Sequence, residues 1–590
     1  MRRKFSVKSM IIPILIGYVI VVWAAILAAP AFAEEGNLFE IFSRLTPLLN
    51  EPFQLQLLDN TPKTILYASC LYAFALLMMF ASQRNTRYGE EHGSAAWGDV
   101  SELCHEYCDK KHPESNRLFT QNFALSMDMF ETDKNLHSLI IGGPGTGKSR
   151  YYVKPNIMQC NSSYIITDPK GELLRATGWL LRKMGYEIRV FDLVSPKKSH
   201  CYNPFFYIQE EKDVLTLISN LIANTTPKGA RSNDPFWDKA ETALLQALML
   251  YLIEEAPLHE QNFSMVLEMI RFMKTKDEEE TSPVDVLFED LSYKNPDSLA
   301  VQQYAIFKQA APKTAQSILV STGVRLASLN IAQYKRMISK DDMDLGSIGE
   351  RKVALFCITP VNDKSMNFLI SMLYTQAFQV LMNVTAEKND GRLPVHVHCI
   401  MDEFANIALP DDFESILSTT RSYEISFSII IQSLSQLKEM FDKKWEAIVA
   451  DCDELLYLGG NEASTFKFIS ELLDKETLDT NSYGRTRGRN GSYSTNYQNA
   501  GRDLMTPGEV RMLNNKKALL FLRNEQPIID FKYSLKTHPN IKHTSDGGYQ
   551  KFRYETDLAR PRYTRPDTCE FLTGDEALDL VAEAQSRMAA

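Results

Sequence analysis

The stretch that decides the fold is LHSLIIGGPGTGKSRYYVKPNIMQC, which runs from Leu136 to Cys160. Its apolar beginning, residues 136–141, predicts a buried strand. The letters GGPGTGKS that follow match G-x-x-x-x-G-K-[ST], the pattern of a phosphate-binding loop between a strand and a helix. Glycines let such a loop turn its N–H groups toward phosphates, and the next helix directs the positive end of its dipole at them. We therefore predict a bound nucleotide, ATP.

The loop supplies the predicted contacts with ATP and its metal ion. Lys148 is expected to reach the β and γ phosphates and to act in catalysis, and the Ser149 hydroxyl is expected to hold Mg²⁺. The whole loop is predicted to bind the cofactor through Gly142, Gly143, Pro144, Gly145, Thr146, Gly147, Lys148 and Ser149.

A second strand must bring a carboxylate to the loop, because Mg²⁺ needs an acidic ligand and the attacking water needs a base. The stretch PVHVHCIMDEF, residues 394–404, has this form. Residues 395–401 are predicted to be the strand, Asp402 the carboxylate on the metal side and Glu403 the catalytic base.

Two further side chains are candidates for catalysis. Gln432 ends the apolar run ISFSIIIQ, residues 425–432, and its amide could orient the water or sense the γ phosphate; an ordinary polar residue at a strand end is the alternative. Arg421 lies just upstream. Its guanidinium could stabilise transition-state charge on the ATP of a neighbouring subunit, and a solvated surface arginine is the alternative.

Two apolar segments precede the nucleotide motif, at about residues 10–29 and 64–82. A helix needs roughly 20 residues to cross the hydrocarbon of a bilayer, so both are predicted to be transmembrane helices. Basic residues flank the pair and acidic residues dominate the short loop between them, which places both termini and the ATPase domain in the cytoplasm. The alternative is a cleaved signal peptide, because APAFA at 29–33 resembles a cleavage site. Cytosolic ATP favours a multi-pass protein of the cytoplasmic (inner) membrane.

Composition limits the remaining possibilities. The formal net charge of −10 over 590 residues excludes a uniformly basic nucleic-acid surface and leaves room for local basic patches. The nine cysteines are scattered without zinc-site spacing, which indicates reduced cytosolic thiols.

Apolar strands alternate with helical patterns along most of the chain, which predicts an α/β fold with a mainly parallel sheet. The strands are predicted at residues 136–141, 163–167, 187–191, 353–358, 395–401, 425–431 and 454–458. Between these, residues 208–348 have only helical periodicity. The predicted division is 1–83 membrane anchor, 84–207 first part of the nucleotide-binding domain, 208–348 all-α domain, 349–546 second part of the nucleotide-binding domain and 547–590 C-terminal tail.

One local basic segment stands out, NSYGRTRGRNGSYSTNYQNAGR, residues 481–502. Its Gly, Ser and Asn content predicts a flexible loop. Arginines interleaved with tyrosines suit the phosphates and stacked bases of single-stranded nucleic acid, and a solvated, disordered loop is the alternative. The candidate contacts are Arg485, Arg487, Arg489 and Tyr493.

Several motifs together resemble those of the type IV secretion and conjugation coupling proteins, the TraG/TraD-like ATPases. The resemblance extends over nearly the whole chain and is far more specific than any one motif. It rests on the paired N-terminal spans, GSAAWGD (93–99), GGPGTGKS, TDPKGELLRATG (167–178), CYNPF (201–205), NDPFWDKA (233–240), MDEFANI, TTRSYEISFSIIIQSLSQL and DLMTPGEVRML (503–513).

The resemblance implies a membrane-anchored homo-hexamer of RecA-like P-loop domains, each with an inserted all-α domain. Such proteins bring relaxase-bound single-stranded DNA, or protein effectors, to the components of a type IV secretion channel and hydrolyse ATP for transfer. On this basis Asp168 lies in a motif beside the nucleotide, although it could equally cap the next helix. Trp237 is expected to pack in the core of the all-α domain, with a position facing substrate as the alternative. The alternative function is an effector-docking receptor that uses ATP only for assembly.

Overall fold

The computed structural model describes residues 7–33, 38–50, 52–81, 93–226, 235–273, 281–360, 362–363, 365–387, 391–407, 409–410, 413–485 and 493–554. The chain forms two compact units. One consists of Met1–Glu91 with Leu478–Asn499, and the other of His92–Thr477 with Ala500–Ala590.

The first unit contains three N-terminal helices, α1 (Val7–Ala28), α2 (Leu38–Leu49) and α3 (Thr61–Ala81). Two stretches, Ile12–Phe32 and Thr61–Met79, are long and apolar enough to cross a membrane. The predicted pair of apolar helices is therefore confirmed, while their orientation across a membrane stays a prediction. The predicted loop between them contains helix α2.

The strands of the chain are β1 (Asn116–Leu118), β2 (Ala124–Ser126), β3 (Ser138–Ile141), β4 (Ser163–Thr167), β5 (Glu187–Asp192), β6 (Val353–Ile358), β7 (Val397–Met401), β8 (Ile425–Ile431), β9 (Glu454–Tyr457), β10 (Lys475–Arg485), β11 (Tyr493–Asp503), β12 (Lys517–Leu522) and β13 (Ile528–Phe531). All seven predicted strands are present, with ends that differ by at most two residues.

Nine of these strands form one sheet in the order β13-β12-β9-β3-β8-β7-β4-β6-β5. The seven strands from β9 to β5 are parallel, and β12 runs antiparallel to β9 and β13. Strands β6 and β8 are buried at every residue, as expected for a parallel sheet covered on both faces. Since carboxyl ends of parallel strands share one edge, the residues after β3, β7 and β8 meet there.

The second unit surrounds this sheet with helices α4 (Val100–Tyr107), α5 (Met129–Thr132), α6 (Lys154–Gln159), α7 (Glu172–Lys183), α8 (Glu211–Thr225), α9 (Phe236–Glu255), α10 (Phe263–Phe272), α11 (Pro283–Lys294), α12 (Leu299–Lys308), α13 (Pro312–Leu326), α14 (Ala332–Met337), α15 (Phe368–Glu387), α16 (Phe413–Thr419), α17 (Leu434–Phe441), α18 (Trp445–Ala450), α19 (Ala463–Leu473) and α20 (Pro507–Arg511).

Helices are the only regular secondary structure in the described residues between β5 and β6, which confirms the all-α insertion. Helix α11 begins at a cap encoded in the sequence: Ser282 and Asp285 hold each other's backbone N–H groups in a capping box. The expectation that Trp237 packs in the core is wrong, because its side chain is 38% exposed on the first turn of α9. The five-part division by residue number stays a prediction.

The predicted flexible loop at 481–502 is corrected as well. Most of its backbone belongs to β10 and β11, which pair in a separate two-stranded sheet. Tyrosine and threonine residues at short intervals supply the β-propensity that the turn-forming glycines and asparagines concealed. The C-terminal tail beyond Tyr554 lies outside the described residues.

Candidate nucleotide site

The glycine turn follows β3 at the carboxyl edge of the sheet and is anchored to both neighbouring strands. The Gly142 N–H donates to the Ile431 carbonyl at 3.0 Å, and the Gly143 N–H donates to the Gly459 carbonyl at 2.9 Å. Gly145 and Gly147 have φ angles of +77° and +88°, a region in which residues with a Cβ are strained. The sequence thus places glycine where this turn requires it.

Lys148 lies across the loop that precedes it. Its ammonium donates to the Gly142 carbonyl at 2.7 Å. Burial lowers the pKa of this lysine, and the nearby carboxylates of Asp402 and Glu403 oppose the shift. Asp402 and Glu403, which follow β7, therefore lie close enough to Lys148 to stabilise its positive charge.

Ser149 and Asp402 make the most informative contact of the site. They are 253 residues apart in sequence, and the Ser149 hydroxyl donates to the Asp402 carboxylate at 3.0 Å. Asp402 is 8% exposed, and burial raises the pKa of its carboxyl despite this hydrogen bond. A hydroxyl and a carboxylate oxygen side by side are ligands of the type that Mg²⁺ prefers, so these residues fit the predicted metal.

Glu403 follows directly and has an unusual backbone, with a φ of +53°. Such a conformation is uncommon for a residue other than glycine and marks functional sites more often than chance. The side chain is partly buried and accepts a hydrogen bond from the Asn406 amide at 3.3 Å. Gln432 follows β8 at the same edge, where its N–H donates to the Gln436 side chain at 2.8 Å.

Asp168 follows β4, whose last residue, Thr167, pairs with Met401, the residue before Asp402. Its carboxylate accepts the Leu174 N–H at 2.9 Å and so caps helix α7. Burial raises the pKa of Asp168 to about 6. This contact is the helix cap that the sequence left open, and a direct role with nucleotide stays a prediction.

Arg421 is not brought to the loop of its own chain. It precedes β8, so it lies at the opposite edge of the sheet from the residues that follow the strands. Its guanidinium is partly exposed and lies 3.4 Å from the carboxylate of exposed Asp133.

The structure describes only part of the basic segment at residues 481–502. Arg485 ends β10 and Tyr493 begins β11, but their side chains are outside the described part of the chain. Arg487 and Arg489 lie outside the described residues altogether.

One neighbour of the loop was missed in the sequence. Lys532 follows β13, and its ammonium donates to the Thr146 carbonyl at 3.0 Å. The two residues are 386 positions apart, and no motif surrounds this lysine. Only the antiparallel edge of the sheet brings them together.

A glycine turn after β3, an acidic pair after β7 and strand β8 between them define a P-loop protein with a RecA-like nucleotide-binding domain. The sequence model of the family described as Type IV secretory system Conjugative DNA transfer matches residues 93–535. This is well over half of the chain, and the chain belongs to that family.

Individual relatives agree with this assignment. The chain is 22% identical to Protein VirD4 of Rhizobium radiobacter over 80% of its own length and 69% of the relative. It is 26% identical to the conjugal transfer protein TraG of Escherichia coli, over 72% of each chain. The solved structure of plasmid coupling protein TrwB in complex with ADP and Mg²⁺ covers 75% of this chain and 94% of its own, with a TM-score of 0.52 and 17% identity. That likeness confirms the fold.

Proposed function

We propose that this chain is a membrane-anchored ATPase that drives relaxase-bound single-stranded DNA, protein effectors or both through a type IV secretion channel. The observation that carries the proposal is the contact of Ser149 with Asp402. It joins the end of the glycine turn to the acidic strand, as a shared phosphate and metal site requires. The ADP and Mg²⁺ in the TrwB complex and the family's link to conjugative DNA transfer support it.

The chain's own residues divide the work at this site. The N–H groups of the glycine turn and Lys148 would bind the phosphates, while Ser149 and Asp402 would hold Mg²⁺, which would supply positive charge to the phosphate oxygens. Glu403 accepts the proton of the attacking water, and Gln432 helps to orient that water. Asp168 supports the pocket from the start of α7.

The proposed function includes a ring-shaped oligomer and a defined orientation in the membrane. Apolar helices α1 and α3 cross the cytoplasmic membrane, with the basic flanks and both termini in the cytoplasm. Six copies form a ring, and Arg421 of each copy contributes to its neighbour's site. Within the described residues Arg421 is remote from its own chain's glycine turn, which is what such a shared site needs.

The proposed function is tested by the rate of ATP hydrolysis of the detergent-solubilised full-length chain, with and without single-stranded DNA. A motor that grips DNA in the hydrolysis cycle is expected to be stimulated several-fold. A matched sample with Lys148→Ala should show no turnover in either condition. A measurable rate that DNA leaves unchanged would contradict DNA pumping and favour a docking receptor.

The basic segment has its own prediction. Replacement of Arg485, Arg487 and Arg489 by Ala is expected to weaken binding of single-stranded DNA and to flatten its salt dependence. Each lost phosphate contact removes roughly 0.7 from the slope of log K against log salt concentration. The matched control replaces the same three residues by Lys, which retains the charge and should retain the slope. An unchanged slope in the Ala variant would remove this segment from the DNA path.

A further inference from the structure

Lys532 is a buried cation without a carboxylate partner among the described residues. It is 5% exposed, and its ammonium donates to the Thr146 carbonyl at 3.0 Å and to the Asn515 side-chain oxygen at 3.3 Å. A buried charge with no counter-charge destabilises a fold. Because this lysine contacts the glycine turn, we expect its contribution to that turn to offset the cost of burying its charge.

Lys532 also contacts the ring of Tyr151, which packs on the glycine turn. Its ammonium lies 5.5 Å from the centre of the Tyr151 ring. That ring covers the backbone of Gly147 so closely that a Cβ on the glycine would lie 2.4 Å from it. The Tyr151 N–H donates to the Gly147 carbonyl at 2.7 Å. Lys532 thus contacts both the peptide before Gly147 and the ring that packs on it.

The contact with Thr146 has a geometric consequence. The Thr146 carbonyl and the Gly147 N–H belong to one planar trans peptide, so they point in opposite directions. Because Lys532 binds the carbonyl, the N–H of Gly147 is directed away from the lysine. In a phosphate-binding loop the N–H groups are the ligands of the phosphate.

We propose that Lys532 is a positioning residue of the phosphate loop: it fixes the Thr146–Gly147 peptide and adds positive charge behind the loop, and both effects strengthen binding of nucleotide phosphates. This inference rests on the proposed nucleotide site. It concerns a residue on the antiparallel edge of the sheet, outside every motif of the P-loop.

If the charge of Lys532 strengthens nucleotide binding, the affinity for nucleotide should depend on pH. Burial lowers the pKa of Lys532 to about 8. A bound polyanion favours the protonated ammonium, so affinity is full below this pKa and declines as the pH rises through it. The titratable and charged side chains beside it are Asp530 and Tyr533 on its own segment, and Lys148, Arg150, Tyr151, Lys516 and Lys517 on the adjoining segments. All of these are retained in variants of Lys532.

The test measures the Kd of Mg·ADP for the full-length chain in detergent, between about pH 7 and about pH 9, a range that brackets the shifted lysine. Lys532→Met removes the charge and keeps the length of the side chain. It is expected to bind roughly tenfold more weakly at the lower pH, the size of one hydrogen bond to a charged group. Lys532→Arg stays protonated throughout. It should retain the affinity and lose the part of the pH dependence that belongs to Lys532.

Thermal unfolding separates positioning from simple folding. Since Lys532→Met removes an unpaired buried charge, its unfolding temperature should equal or exceed that of the parent chain while its affinity falls. Equal affinity and equal pH profiles of the parent and Lys532→Met chains would overturn the inference. If the Lys532→Arg chain does not fold, the comparison of the parent chain with Lys532→Met still tests the inference. Failure of the proposed site itself has a different signature, namely a parent chain that binds Mg·ADP no better than Lys148→Ala.

Discussion

Glu403→Gln is expected to reduce ATP hydrolysis by about 100-fold or more and to leave nucleotide binding nearly unchanged. A general base contributes roughly 10²–10⁴-fold to a rate, and an amide of the same shape cannot accept the proton of water. The contacts that hold the loop and metal ligands do not involve this carboxylate: Lys148 donates to Gly142, and Ser149 donates to Asp402. Binding and turnover should therefore separate cleanly in this variant.

The chain offers a matched control in Glu424→Gln. Glu424 is also a glutamate with a positive φ, +63°, but it precedes β8 at the opposite edge of the sheet and contacts His396. The control should retain most of the hydrolysis rate. Steady-state turnover and Mg·ADP binding on both variants check the prediction. A Glu403→Gln chain that hydrolyses ATP at the parent rate would show that the base lies elsewhere.

The parts of this fold that were predictable are those with a local chemical signature. Apolar runs such as residues 425–431 are buried on both faces and cannot be confused with surface segments, so β8 was found to the residue. The glycine turn was equally visible, because Gly145 and Gly147 adopt positive φ angles that select glycine. For the acidic pair, the strand before it placed Asp402 opposite the loop by the rule that parallel strands share an edge.

The features that could not be predicted depend on contacts between residues far apart in the sequence, or on which neighbours surround a side chain in the fold. Strands β12 and β13 form the antiparallel edge of the sheet, and their register alone places Lys532 behind the glycine turn. The aspartate at 168 illustrates context, since one carboxylate can cap a helix or face a ligand with the same neighbours in sequence. Trp237 was misplaced because helical periodicity shows that a face is apolar but not whether another element covers it.

The second large effect is expected from Arg421→Ala. An arginine supplied to a neighbouring site stabilises charge in the transition state of phosphoryl transfer and is worth about 10³–10⁵-fold in rate. Arg421 lies at the sheet edge opposite the glycine turn of its own chain, and its guanidinium pairs there with the exposed carboxylate of Asp133. Arg523 contacts the same carboxylate, at 3.8 Å, so Arg523→Ala is the matched control and should keep most of the activity.

Mixing experiments decide whether Arg421 acts on a neighbour. Arg421→Ala subunits keep an intact glycine turn and Lys148→Ala subunits keep an intact arginine, so each is inactive alone. In mixed oligomers, some interfaces combine the intact turn of one with the arginine of the other. Activity is therefore expected to reappear on mixing and to peak near equal amounts, as turnover assays across a range of ratios would show. If the arginine served only its own chain, every subunit would remain defective and the mixture would stay inactive.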